Sequence, residues 1–141
     1  MKMLRYGFIA FAGGALSLLL AACPSVHPTH IATLSVPDGV TSNASGSATG
    51  RLVGNHFRLE GSYRDLGSPV TEVLVQDRQT GQGIYAVEAD GGTSGGFSRG
   101  QELTAEEVTA LNRGDLEIVV YTEDHPRPDG SGELQGTITR R

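Results

Sequence analysis

Cysteine is nearly missing from this chain of 141 residues: Cys23 stands alone, so an intrachain disulfide is excluded. Tryptophan is absent and phenylalanine and tyrosine number four each, while glycine numbers twenty. That balance points to many short strands joined by tight turns. Lys2 is the sole lysine. A run long enough to cross a bilayer is also missing, because the apolar stretch from Gly7 to Leu19 falls short of the roughly 20 residues such a helix needs.

What that stretch does have is a charged start, Lys2 and Arg5, and a small-residue end, Leu20-Ala21-Ala22-Cys23. These are the three parts of a secretory signal. The last four residues resemble the bacterial lipobox, which implies a cut between Ala22 and Cys23 and lipid, palmitate included, on the new N-terminal cysteine. The shortness of the run tells against the alternative, a buried cysteine beside an uncleaved membrane helix. Each buried acyl methylene contributes about 0.8 kcal/mol, so more than one chain makes a lasting anchor. The expected location is therefore the bacterial cell envelope, on an extracytoplasmic face, with the membrane as a partner through Cys23. Pro24, in place of an acidic residue, favours sorting to the outer membrane.

Removal of residues 1–22 takes the formal charge from −5 to −7 and leaves about 119 residues, enough for one domain with a modest core. So acidic a domain is a poor candidate for nucleic acid or anionic lipid, which reward clustered positive charge. Its arginines look scattered along the chain, with Arg140 and Arg141 the one cluster.

Residues 23–29 read as a lipidated, proline-bearing tether, and 30–141 as the folded domain. Strand patterns recur over 31–36, 46–53, 56–64, 71–77, 83–88, 95–98, 116–122 and 133–139, separated by Gly, Pro, Asn and Asp turns. The fold class expected is mainly β, a single antiparallel sandwich or barrel of about eight strands. Between His56 and Arg64, Phe57, Leu59, Gly61 and Tyr63 alternate with polar residues, the mark of one buried and one wet face. In 116–122 both faces are apolar, so that strand is central or its outer face meets something. Thr104-Ala105-Glu106-Glu107 has the form of a capping box, and Gly114 stands where a left-handed cap belongs, giving a short helix over 105–112.

The order of these elements resembles the CHRD domain, a module first named from chordin and found also in bacterial secreted proteins. The likeness runs from Ile31 to Arg141. It rests on Ile31-Ala32-Thr33-Leu34-Ser35 with Ser45-Gly46-Ser47-Ala48-Thr49-Gly50, on Gly61-Ser62-Tyr63-Arg64-Asp65-Leu66, on the helix and the strand after it, and on the closing Gly132-Glu133-Leu134-Gln135-Gly136-Thr137-Ile138.

The resemblance implies a His-x-His in the middle strand and a histidine in the late strand, reminiscent of metal-binding sandwiches. Here Leu74, Gln76 and Tyr121 stand at those positions. Leucine cannot ligate a metal, and glutamine or tyrosine poorly replaces imidazole toward copper or zinc. No metal site and no cofactor is expected. His27 and His30 straddle Pro28 in the tether. His56 lies on a wet face, and His125 with Glu123, Asp124 and Asp129 reads as a solvated turn. No nucleophile elbow and no phosphate-binding loop is present.

Two functions follow. The first is a non-catalytic, lipid-anchored envelope module with a protein partner, meeting it through an apolar and amide patch of Leu74, Gln76, Val119 and Tyr121; the same four residues are otherwise covered by a neighbouring sheet or loop. The second is metal binding or weak redox activity retained from a histidine-bearing form.

Overall fold

The computed structural model of the chain describes residues 27–127 and 131–141. The strands are β1 (His30–Leu34), β2 (Ser45–Val53), β3 (His56–Arg64), β4 (Val70–Asp77), β5 (Gly83–Ala89), β6 (Gly95–Glu102), β7 (Leu116–Thr122), β8 (Leu134–Thr137) and β9 (Thr139–Arg140), with helix α1 (Ala105–Arg113) before β7. All pair antiparallel, in the order β8-β7-β4-β5-β6-β3-β2-β1-β9.

The two ends of that order meet. His30 pairs with Arg140 and Ile31 with Thr139, and the bridge of Ser35 to Gln135 continues the same register. Ser35 and Gln135 exchange both backbone bonds at 2.9 Å. β8 and β9 thus form one interrupted closing strand, pairing with β7 on one side and β1 on the other, and the sheet shuts as a barrel with little free edge. The expected strand over 133–139 is split at Ile138, whose N–H turns to the Leu116 carbonyl at 2.9 Å while its side chain enters the core.

β3 alternates as its sequence dictates, Phe57, Leu59 and Tyr63 inward and His56, Arg58, Glu60 and Arg64 outward. The inward residues meet Ala32, Leu34, Val73, Val75, Ile118 and Val120 from the other strands in one continuous core. β5 and β6 pair only at Glu88 with Ser98 and Ala89 with Phe97. Beyond that short ladder the Arg99 guanidinium donates to the Ala86 carbonyl at 2.9 Å and lies over the Tyr85 ring, bridging the thinnest seam. α1 carries the capping box: the Glu107 N–H donates to the Thr104 hydroxyl and the Thr104 N–H to the Glu107 carboxylate. Gly114 closes it at φ 80°, left-handed backbone that glycine adopts at no steric cost.

Candidate functional site

β4 and β7 lie side by side with Leu74 opposite Val119, Gln76 opposite Glu117 and Glu72 opposite Tyr121. Both strands face the core on one side with Val73, Val75, Leu116, Ile118 and Val120. On the other side Leu74, Val119 and Tyr121 make a second, smaller apolar cluster. The four sequence candidates do come together from two strands.

They are not open to solvent. Leu74 is 4% exposed, Gln76 7%, Val119 0% and Tyr121 4%. Gly132 packs so closely on Val119 that a Cβ there would sit 2.6 Å from Val119 Cγ1, and Gly83 similarly abuts the Leu74 methyl groups. Arg127, beyond the end of β7, ion-pairs with Glu72 at 3.2 Å. The patch is covered within the chain.

Under that cover the polar atoms form a chain. The Tyr121 hydroxyl donates to Gln76 Oε1 at 2.9 Å, and Gln76 Nε2 donates to Glu117 Oε2 at 2.9 Å. A carboxylate accepts only, so the Gln76 amide nitrogen must face Glu117 and its oxygen must face the phenol. Burial pushes the Tyr121 phenol up, and the nearby Arg127 offsets part of that. Burial likewise raises the Glu117 carboxyl, against the pull of the Gln76 bond and Arg78.

The three positions that the resemblance assigns to histidines therefore converge, but their donor set does not fit copper or zinc. Leu74 offers no ligand atom, both ends of the Gln76 amide are engaged, and the phenol keeps its proton. Among the described residues, no group of three His, Cys, Asp or Glu side chains has metal-holding geometry. Replacing Tyr121 by Phe leaves Gln76 Oε1 buried without a donor and should cost about 1–3 kcal/mol in urea unfolding.

Two buried titratable groups carry more weight than the sequence assigned them. Glu133, 1% exposed, accepts from the Ser42 hydroxyl at 2.6 Å, the Gly67 N–H at 2.7 Å and the Thr122 hydroxyl at 3.0 Å. It ties three separate segments to the start of β8. Burial alone would raise its carboxyl, yet the bonds from Ser42, Gly67 and Thr122, with His125 nearby, hold it below the ordinary value. The signal in the sequence was its place in the closing Gly132-Glu133-Leu134 stretch on which the family resemblance rests.

His30 is the second, the first residue of β1, inside the folded domain as the boundary at 30 places it. It is 2% exposed, edge-on to Phe57. The Leu52 N–H donates to the Thr29 hydroxyl at 2.9 Å, that hydroxyl donates to His30 Nδ1 at 2.8 Å, and Nε2–H donates to Asn112 Oδ1 at 3.0 Å. Thr29 is already stitched in, its N–H on the Gly50 carbonyl. Burial lowers the imidazole's pKa, the Asn112 bond opposes, and Arg140 lowers it further. Above the unfolded value of 6.5 the stability is complete. Below it the unfolded chain takes up a proton that folded His30 refuses, so stability drains as pH falls. NMR titration should place the His30 midpoint below 6.5.

His56 is exposed, its Nδ1 3.1 Å from Glu102. His125 is half-buried and His27 exposed; Asp129, Ala22 and Cys23 lie outside the described residues. No described helix is long and apolar enough to cross a membrane. The expectation of scattered arginines needs correction: Arg51 and Arg58 are direct cross-strand partners, and the Arg141 N–H bonds the Thr29 carbonyl beside them.

A closed antiparallel barrel with one capped helix and a sealed outer patch on β4 and β7 is the class of domain these observations define. The profile of the CHRD domain family matches residues 30–138, and the chain belongs to that family. No curated protein and no solved structure matches it.

Proposed function

We propose that this chain is a lipid-anchored, non-catalytic CHRD module of the bacterial cell envelope. Leu20-Ala21-Ala22-Cys23 gives the cut and the lipid, and the domain hangs extracytoplasmically from Cys23, in the outer membrane as Pro24 favours. The observation that carries the reading is the shortness of the link: the chain joins the barrel at Thr29, six residues after Cys23. An anchor there holds the domain against the membrane.

The role is binding or structural, with an envelope protein as partner. Supporting this, the buried polar groups hold the fold: Glu133 fastens segments, His30 fastens the N-terminal entry, and the Tyr121-Gln76-Glu117 chain fastens β4 to β7. Because Leu74, Gln76, Val119 and Tyr121 are covered, the partner meets another face.

Cell fractionation after labelling with radioactive palmitate tests the anchor. The native chain is expected in the membrane pellet, labelled, and separable with the outer membrane by density. Cys23→Ser is expected unlabelled. A native chain that is soluble and unlabelled, or a Cys23→Ser variant that keeps its label, would overturn the proposal.

A further inference from the structure

Arg58 on β3 stands directly opposite Arg51 on β2. Thr29 continues the row on the far side of β2, its N–H on Gly50, and Arg141 follows with its N–H on the Thr29 carbonyl. Strands are about 4.8 Å apart, so Arg58, Arg51 and Arg141 span about 15 Å of one outer face. Arg58 and Arg141 are exposed and Arg51 half-buried. Like charges placed directly opposite oppose folding. Of the other described arginines, Arg64 bonds Ser45, Arg99 bonds Ala86 and Arg127 bonds Glu72, while Arg78, Arg113 and Arg140 lie on separate segments and form no comparable row. Among the described residues none of the three in the row has an ion pair. Glu60, one rung further along β3, is the single carboxylate among the described residues lining the shallow hollow of about 240 Å³ that Arg51 and Arg58 share with Pro28, Thr49 and Gly50.

Pro28 in that hollow is the chain arriving from Cys23. Five residue steps separate the two, a reach of at most about 18 Å. Charges at a membrane surface are felt over a Debye length of about 8 Å at physiological salt. We propose that the Arg58, Arg51 and Arg141 row docks on the anionic phospholipid headgroups of the leaflet that holds the Cys23 lipid, and so fixes the domain's orientation on the membrane. This rests on the lipid-anchor reading. The occupant is set by two things: phosphate is the complement of paired guanidiniums, and the tether delivers this face, rather than any other, to the surface. The rest of the domain is strongly acidic and is repelled by the same surface, which sharpens the orientation. Each arginine near an anionic leaflet adds about a fivefold preference.

The test uses the full chain, extracted from membranes and reconstituted into vesicles of phosphatidylcholine with or without phosphatidylglycerol. Ser47→Cys, on the same outer face, carries a dye, and energy transfer to a headgroup acceptor reads the distance. Transfer is expected to rise in the anionic vesicles, to fall with added salt, and to lose roughly 25-fold of its docked-to-undocked ratio in Arg51→Gln/Arg58→Gln. Arg64→Gln, on the same face of β3 at its other end, should change nothing. Equal transfer in both vesicles, or equal loss in Arg64→Gln, would overturn the docking. Intact mass of each labelled sample separates the two readings: a second dye, on Cys23, means an unlipidated thiol and sinks the anchor and the docking together, whereas lipid on Cys23 with no lipid-charge dependence sinks the docking alone.

Discussion

Glu133→Ala is expected to cost about 3–5 kcal/mol in urea or thermal unfolding, because it removes three hydrogen bonds to one charged group, each typically contributing about 1.5–3 kcal/mol, and leaves the fully buried Thr122 hydroxyl without its acceptor. Against a typical total of about 5–15 kcal/mol, that leaves a domain near the edge of folding. The Ser42 hydroxyl, the Gly67 N–H and the Thr122 hydroxyl all point at one carboxylate that has no cation within ion-pair distance among the described residues. The charge is held mainly by these bonds, with a smaller pull from His125. Glu133→Gln keeps the shape and an acceptor, so its loss should be smaller. The two variants separate further in acid. The folded carboxyl sits below its unfolded value of 4.5, so its contribution is present above that pH and is lost as pH falls through the lower folded value. Stability of the native chain should fall in this window, below the one set by His30, and Glu133→Gln should flatten that limb. A Glu133→Ala protein as stable as the native one would show that the three donors find other partners.

Gly136→Ala should open the barrel at its closing seam. A Cβ at this position overlaps the Thr33 carbonyl oxygen and comes within 3.0 Å of Leu34 Cδ2. The obstacle is backbone of β1, which cannot swing aside as a side chain can. Overpacking of this kind costs typically about 1–3 kcal/mol and more when backbone must move. The loss should be local as well as global: the Ser35 and Gln135 amides, which bond each other's carbonyls across the seam, should lose hydrogen-exchange protection before the amides of β2 and β3. Full protection of both amides in Gly136→Ala would mean that β1 and β8 are not held as described.

Where alternation is strict and the partner strand is near in sequence, the fold was readable from residues. β3 is the clearest case, its Phe57, Leu59 and Tyr63 facing inward as the pattern requires. The capping box and Gly114 bracket the helix because both act through atoms within one turn. β7, apolar on both faces, proved central, with β4 on one side, β8 on the other and a covered outer face. β6 runs on to Glu102, past the expected end at Ser98, because its later residues carry no apolar alternation and are held by backbone pairing to β3. The division of the closing strand at Ile138 was equally invisible, since it depends on β1, more than a hundred residues away.

The candidate site was half legible. Convergence of Leu74, Gln76, Val119 and Tyr121 followed from strand phase, but their cover comes from Gly83, Gly132 and Arg127, whose approach no local pattern encodes. The same holds for the arginine row. Arg51 and Arg58 are seven apart in a chain that turns at Gly54-Asn55, so their pairing was implicit in the hairpin; Arg141 joins only because the barrel closes.

The most direct measurement is intact mass of the native chain extracted from bacterial membranes. A polypeptide beginning at Cys23 and carrying the added mass of its acyl groups is the predicted result. A species that retains residues 1–22 with a free Cys23 thiol would contradict the anchored module and the orientation built on it.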